Sequence, residues 1–172
     1  MFEKGEYVFY GNKGVCEVMD IATMNLTGVP KDRLFYVLHP YFSKDDKIFT
    51  PIDNEKIVIR RLISKKNAES LIGEIAEIEE LQIADEKMRE ETYKECLRSC
   101  ECREWVRMIK TLRSRKSIRI QDGKKTTASE DRYLKIVEDY LYSELSILLE
   151  MTKQEIAALF GSKLDCNEKR RQ

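Results

Sequence analysis

The distribution of proline and the spacing of apolar residues divide this chain into two unlike parts. All three prolines lie before residue 52 of the 172. Up to Arg61, β-branched and aromatic runs alternate with turn residues, whereas from Ser64 onward apolar residues recur about every 3.6 positions. Because proline breaks helix interiors, the long proline-free remainder is free to form helices. The pattern predicts an α+β protein with one domain over residues 1–62 and a second over residues 63–172.

The first part contains five predicted strands. They are Glu6–Tyr10, Gly14–Met24, Arg33–Pro40, Lys47–Pro51 and Ile57–Arg61. The segments between them are too short to hold a crossover helix, which disfavours a parallel sheet. Five short strands at this spacing predict a small antiparallel β-barrel.

The second part is predicted to be an all-α domain of about five helices. The predicted helices are Lys65–Ile72, Glu86–Ser99, Glu101–Arg119, Asp131–Glu150 and a short last one that ends at Phe160. Ser64 is a predicted N-cap, and the spacings Thr127 to Glu130 and Thr152 to Glu155 are typical of capping boxes. Gly161 is expected to end the last helix and to leave a frayed tail.

The remaining composition excludes several classes of protein. No apolar run approaches the roughly 18 residues of a membrane span, and the segment Met1–Gly5 lacks a signal-peptide core. We therefore expect a cytoplasmic protein that makes no membrane contact, with its five cysteines as free thiols.

Catalytic and metal-binding patterns are sparse. His39 is the single histidine, which excludes most histidine-based metal sites. Cys96 and Cys100 would share a helix face, but Cys102 would point away and no fourth ligand has a matching spacing. Incidental thiols are favoured over zinc, and we expect no cofactor and no enzyme activity. An enzyme of unrecognised type stays a rival, which a deep pocket with perturbed carboxylates would favour.

The charge is concentrated in one block. The chain as a whole is neutral, with 31 basic and 31 acidic side chains, but residues 103–135 hold 11 basic and 4 acidic ones. A local cluster of this kind predicts contact with an anionic partner such as DNA, mainly through phosphates, and a solvated helix face is the alternative. Trp105 has apolar partners at Ile109 and Leu112, so it is predicted to be core and not a DNA wedge. The predicted phosphate contacts of the block are Arg107, Lys110, Arg113, Arg115, Lys116, Lys124 and Lys125.

Several segments in order resemble the CarD family of bacterial transcription regulators. The opening Phe-Glu-Lys-Gly-Glu-Tyr-Val-Phe-Tyr-Gly-Asn-Lys-Gly-Val-Cys of residues 2–16 is similar to the first strand and turn of that family. The later similar segments are Phe35–Leu38, Ile48–Pro51, Asp53–Asn54, Tyr93–Ser99, Lys110–Leu112 and Glu130–Tyr133. The resemblance covers nearly the whole chain.

The resemblance implies a Tudor- or SH3-like barrel that docks on the β subunit of RNA polymerase by pairing strand edges. The corresponding strands lie near Ile21–Leu26 and Lys47–Pro51, and some relatives have arginines where this chain has Met24 and Phe49. The contact is therefore expected to be more apolar here. The implied polymerase-binding residues are Met24, Leu26, Ile48, Phe49, Thr50 and Pro51.

The resemblance also implies that the helical domain contacts promoter DNA and stabilises the open complex. Arg89 stands at a basic DNA contact of the family, and Lys124, Lys125 and Arg132 match a second basic region. The tryptophan that many members insert into the minor groove is missing from Gln82–Glu86. An adaptor that binds polymerase without touching DNA is therefore the alternative, and a monomer suffices for either. Target promoters and the sign of regulation are left open.

Overall fold

The computed structural model describes residues 1–44 and 47–171, with side chains as far as Asp165. The chain divides after Leu62 into two compact units, Met1–Leu62 and Ile63–Gln172. Each unit is described separately below.

The first unit is a five-stranded antiparallel sheet. Its strands are β1 (Tyr7–Tyr10), β2 (Gly14–Thr23), β3 (Leu34–Pro40), β4 (Ile48–Pro51) and β5 (Ile59–Arg61). They follow the order β4-β3-β2-β1-β5, and every neighbouring pair is antiparallel. The sheet is open, with β4 and β5 as the edges of the described ladder. With the helical second unit, this confirms the α+β class expected from the sequence.

One face of the sheet forms the core of the first unit. Residues at alternate positions of β1, β2 and β3 are buried there, as the two-residue period of a strand requires. The buried members are Val8, Tyr10, Cys16, Val18, Tyr36 and Leu38. A bulge between Val18 and Asp20 interrupts the pairing of β2 with β3. Gly14 has a φ of 81°, a conformation that side chains disfavour, and β2 begins at this residue.

The second unit is helical. Its elements are α1 (Lys65–Glu74), a 3₁₀ turn (Glu86–Met88), α2 (Arg89–Ser99), α3 (Cys102–Gln121), α4 (Ala128–Leu149) and α5 (Lys153–Arg171). Ser64 caps α1 as expected, because its hydroxyl accepts from the Asn67 amide at 3.1 Å. Within the described part of the chain, no helix combines the length and the apolar character needed to cross a membrane.

Helix α5 begins where the sequence predicts but is longer than expected. The Thr152 amide donates to the Glu155 carboxylate at 2.8 Å, and the Glu155 amide donates to the Thr152 hydroxyl at 3.1 Å. This capping box starts the helix as predicted. The expectation that Gly161 ends the helix is wrong, because α5 continues to Arg171. A glycine inside a helix costs only about 1 kcal/mol relative to alanine, which its neighbours can offset.

The core of the second unit is built around α3 and α4. Trp105 is fully buried, and its ring lies 5.7 Å from that of Tyr140. The other fully buried large side chains of this core are Tyr93, Ile75, Met108, Ile109, Leu112, Leu141, Leu145, Ile156 and Phe160. Trp105 is therefore a core residue, as its apolar spacing predicted.

Candidate functional site

The free edge of β4 is the first candidate site. The Ile52 amide donates to the Leu34 carbonyl at 3.1 Å, so the alternate residues Ile48 and Thr50 also direct their backbone groups toward β3. The N–H and C=O of Phe49 consequently point away from the sheet. Pro51 presents only a carbonyl, because proline has no N–H. The edge thus offers a short stretch of backbone groups for another strand.

The side chains of β4 divide between the core and the surface. Thr50 is 2% exposed and its hydroxyl accepts a hydrogen bond from Asn54 Nδ2 at 3.2 Å, while Ile48 packs against the core. Phe49 is 47% exposed. Of the side chains on this edge, Phe49 is therefore the one placed to meet a partner with an apolar surface.

Met24 and Leu26 do not lie on this edge. Strand β2 ends at Thr23, and the two residues follow it in a turn where the Leu26 amide donates to the Met24 carbonyl at 3.1 Å. Strand β3 lies between β2 and β4, a separation of about 10 Å for two strand spacings. The structure thus groups Ile48–Pro51 and places Met24 and Leu26 at another part of the sheet.

The basic residues of the second unit form the other candidate site, and several of them bind the protein itself. Lys110 donates to the backbone carbonyls of Ile75 at 2.9 Å and Ala76 at 3.3 Å, and also to that of Ile78. These carbonyls follow the end of α1, where a helix leaves such groups unsatisfied. Lys110 therefore closes the C-terminal end of α1.

Three further cations of α3 have carboxylate partners. Arg107 contacts both oxygens of Glu104 at 3.1 Å, and Lys116 lies 2.9 Å from Asp131. Arg113 donates to Glu138 at 2.7 and 3.0 Å and to the Tyr142 hydroxyl at 2.9 Å. Arg113 and Lys116 therefore link α3 to α4, whereas the ion pair of Arg107 lies within α3.

Arg89 and Arg115 share two glutamates in one network. Both Nε groups approach Glu130 Oε1, at 3.3 Å from Arg89 and 2.8 Å from Arg115. The terminal guanidinium nitrogens donate to the carboxylate oxygens of Glu86. Arg89 Nη1 does so at 2.6 Å, and Arg115 Nη1 and Nη2 do so at 3.0 and 3.1 Å. Tyr93 adds its hydroxyl to Glu130 Oε1 at 3.3 Å. The network joins α2, α3 and α4 to the 3₁₀ turn.

Two pKa values reflect this arrangement. Hydrogen bonds from Arg115 and Arg89 lower the pKa of Glu86, so its carboxylate stays ionised. Burial, with Glu130 as the next cause, raises the pKa of Tyr93 to about 12. Tyr93 is therefore a neutral hydrogen-bond donor at physiological pH.

The remaining three predicted phosphate contacts are exposed and have no carboxylate partner among the residues that the structure describes. Lys124 and Lys125 occupy the turn between α3 and α4, and Arg132 lies in the second turn of α4 with its guanidinium 6.0 Å from the Tyr133 ring centre. We call Lys124, Lys125 and Arg132 the α4 cation group.

The three clustered cysteines of the second unit lie in its interior. Cys96, Cys100 and Cys102 are buried free thiols, and the Cys96 thiol donates to the Glu104 carbonyl at 3.1 Å. Burial raises the pKa of Cys96 to about 12, which keeps it protonated. Over residues 1–44 and 47–165, no group of three or more potential ligands has a geometry that could hold a metal ion.

Sequence reasoning missed Glu86, Glu130 and Tyr93 as members of the arginine network. Thr127 and Glu130 have capping-box spacing, but Thr127 donates its hydroxyl to the Glu130 side chain at 3.1 Å and makes no side-chain bond to the helix backbone. The capping-box spacing was therefore the one local signal that this glutamate has a partner.

Comparison with known proteins identifies the first unit. A family model described as CarD-like/TRCF RID domain matches residues 2–63, and no curated protein matches the chain. This domain is a protein-interaction module of transcription-associated proteins. Its span coincides with the five-stranded sheet that carries the free β4 edge. Residues 2–63 therefore form a CarD-like/TRCF RID domain, which indicates a transcription-associated protein that interacts with RNA polymerase.

Proposed function

We propose that this protein binds the β subunit of RNA polymerase through the β4 edge and promoter DNA through its helical unit, and thereby changes the stability of the open complex. The observation that carries the proposal is the RID domain match over residues 2–63, together with the unpaired outer edge of β4. The proposed setting is the bacterial cytoplasm, with the protein acting as a monomer.

The proposed polymerase contact is a strand added to β4. Backbone hydrogen bonds to Phe49 and the Pro51 carbonyl would supply affinity, and the exposed Phe49 ring would supply specificity. Because few backbone groups are free on this short edge, the phenyl ring should carry a large share of the binding energy. Met24 and Leu26 take a secondary place, since they lie in the turn after β2.

The proposed DNA contact centres on the α4 cation group. Its members lie close together in the chain and keep their charges unpaired, while the cations along α3 are engaged inside the protein. Contacts made to the open complex but absent from the closed one shift the melting equilibrium. A tenfold shift needs about 1.4 kcal/mol, which two or three phosphate contacts can supply.

An adaptor that binds polymerase without DNA is the second candidate. The ion pairs of Arg89, Arg107, Arg113, Arg115 and Lys116 favour it, because a cation that is already paired gains less from a phosphate. DNA affinity separates the two candidates.

The first test measures binding of the full chain to the β subunit of RNA polymerase. We expect Phe49→Glu to weaken binding at least about tenfold, because it places a charge in an apolar contact. Val58→Glu is the matched control: Val58 is 46% exposed and precedes β5 at the opposite edge of the sheet. Equal affinity of the two variants would contradict docking through β4.

The second test measures duplex DNA binding as a function of salt. Replacing Lys124 and Lys125 together with alanine should weaken binding and make the slope of log K against log salt less steep by roughly 0.9 per lost phosphate contact. The control replaces Lys65 and Lys66, two exposed lysines of α1, and changes the net charge equally. Wild-type protein that binds no DNA, alone or on polymerase, would leave the adaptor as the function.

A further inference from the structure

The two arginines of the network both donate to one exposed carboxylate of the protein, that of Glu86. Glu86 presents both oxygens to Arg89 and Arg115, and it accepts three hydrogen bonds between 2.6 and 3.1 Å. A phosphodiester offers two anionic oxygens that suit the same bidentate arginine geometry. The position of the Glu86 carboxylate is thus chemically suited to a DNA phosphate.

The two glutamates of the network differ in how firmly they are held. The Glu130 side chain is 10% exposed and contacts both arginines from the inner side, where it also accepts from Tyr93 and Thr127. The Glu86 side chain is 63% exposed. Because exposed ion pairs are worth little and buried ones are costly to break, Glu86 is the replaceable partner.

The charge balance of the network also indicates that an anion can replace Glu86. Two arginines and two glutamates make it neutral, and movement of Glu86 away from the arginines leaves one positive charge above Glu130. One phosphodiester charge restores neutrality. The inner carboxylate keeps both guanidinium groups in position during the exchange, so little reorganisation is needed.

We propose that Arg89 and Arg115 form an anion site that the protein fills with its own Glu86, and that a DNA phosphate displaces this carboxylate on binding. The proposal rests on the DNA contact proposed above and adds a second contact to that of the α4 cation group. It also makes Glu86 an internal competitor that lowers DNA affinity.

The test removes the competitor in the full-length protein. Glu86→Gln should lower the Kd for a DNA duplex at least about threefold in 0.1 M salt, the size expected when a surface ion pair no longer has to be broken. The slope of log K against log salt should stay as in wild type, because both proteins make the same phosphate contact and differ only in the cost of displacing Glu86. Glu86→Ala, which cannot accept a hydrogen bond at all, should also lower the Kd.

Two controls separate the site from a general charge effect. Glu95→Gln removes one negative charge at an exposed position of α2 that has no side-chain partner among the residues described, and it should lower the Kd much less than Glu86→Gln does. The double variant Glu86→Gln/Arg115→Gln should lose the gain. Equal effects of Glu86→Gln and Glu95→Gln on DNA affinity would overturn the proposal. The variant at Lys124 and Lys125 tests the contact of the α4 cation group independently.

If no variant binds duplex DNA, a titration with a small anion still tests the anion site. The Nε–H signals of Arg89 and Arg115 in nuclear magnetic resonance spectra would be followed during titration with tripolyphosphate. Shifts that are larger in Glu86→Gln than in wild type would support the anion site although the proposed DNA function had failed. Unmoved signals in Glu86→Gln would refute the anion site itself.

Discussion

Lys110 lies in the most basic block of the chain, yet the structure predicts that its replacement weakens the fold and not the DNA contact. Its ammonium group donates to the carbonyls of Ile75, Ala76 and Ile78, just beyond the end of α1. An ammonium group has three donors, so it can satisfy three carbonyls at once. We therefore expect Lys110→Met to destabilise the helical unit.

The magnitude follows from the groups that lose their partner. Hydrogen bonds to a charged group contribute about 1.5–3 kcal/mol, and carbonyls left without a donor add a desolvation cost unless water reaches them. Because Lys110 is half-buried, water replaces part of the loss. We expect about 2–3 kcal/mol, a large share of the roughly 5–15 kcal/mol that stabilises a small protein. Methionine keeps the apolar stem, so the packing of the side chain changes little.

Urea unfolding followed by tryptophan fluorescence measures this loss. Trp105 is the single tryptophan and is fully buried in the second unit, so its signal reports on that unit. Lys124→Met is the control: Lys124 is exposed in the turn before α4 and should change stability by less than about 0.5 kcal/mol. A Lys110→Met protein as stable as wild type but weak in DNA binding would refute the capping role and restore Lys110 as a phosphate contact.

Two further predictions concern stability. Burial raises the pKa values of Tyr93 and Cys96 to about 12, above their usual values, so these groups stabilise the fold below pH 9 and their contribution is lost as the pH rises from about 9 to 12. The urea midpoint of Tyr93→Phe should therefore fall less over that range than the midpoint of wild type. Parallel curves of midpoint against pH would contradict the burial argument for Tyr93. Thr152→Ala removes the hydroxyl that accepts from the Glu155 amide and should lower the free energy of unfolding by about 1 kcal/mol. Hydrogen exchange should increase most in the first turn of α5. Unchanged exchange in that turn would count against the capping box.

The regular elements could be predicted from the sequence because their signals are local. Strand β4 was expected over Lys47–Pro51 and is observed over Ile48–Pro51, since the alternation of apolar residues and the flanking turns lie within the segment itself. Ser64 was recognised for the same reason, because its capping partner is the Asn67 amide. Gly161 misled the prediction because its effect depends on what packs around α5, which a local pattern does not contain.

The partners of the basic residues could not be predicted, because they are distant in sequence. Arg113 meets Glu138 and Arg115 meets Glu86, 25 and 29 positions away. Nothing in a charge pattern tells which lysine or arginine will be paired, since pairing depends on which helix faces come together. The sequence shows that residues 103–135 are basic, but it does not separate charges that are paired within the fold from charges left at the surface.

This distinction changes the meaning of the net charge. The block of residues 103–135 has 11 basic and 4 acidic groups, a net charge of +7, but three carboxylates that pair with it, Glu74, Glu86 and Glu138, lie outside the block. Counting these three reduces the net charge to +4. On the proposed function, the salt dependence of DNA binding should then reflect about four phosphates or fewer, and not seven. On the same proposal, we expect the DNA contact to be concentrated at the turn between α3 and α4, where Lys124 and Lys125 have no carboxylate partner among the described residues, and not to extend along the whole of α3.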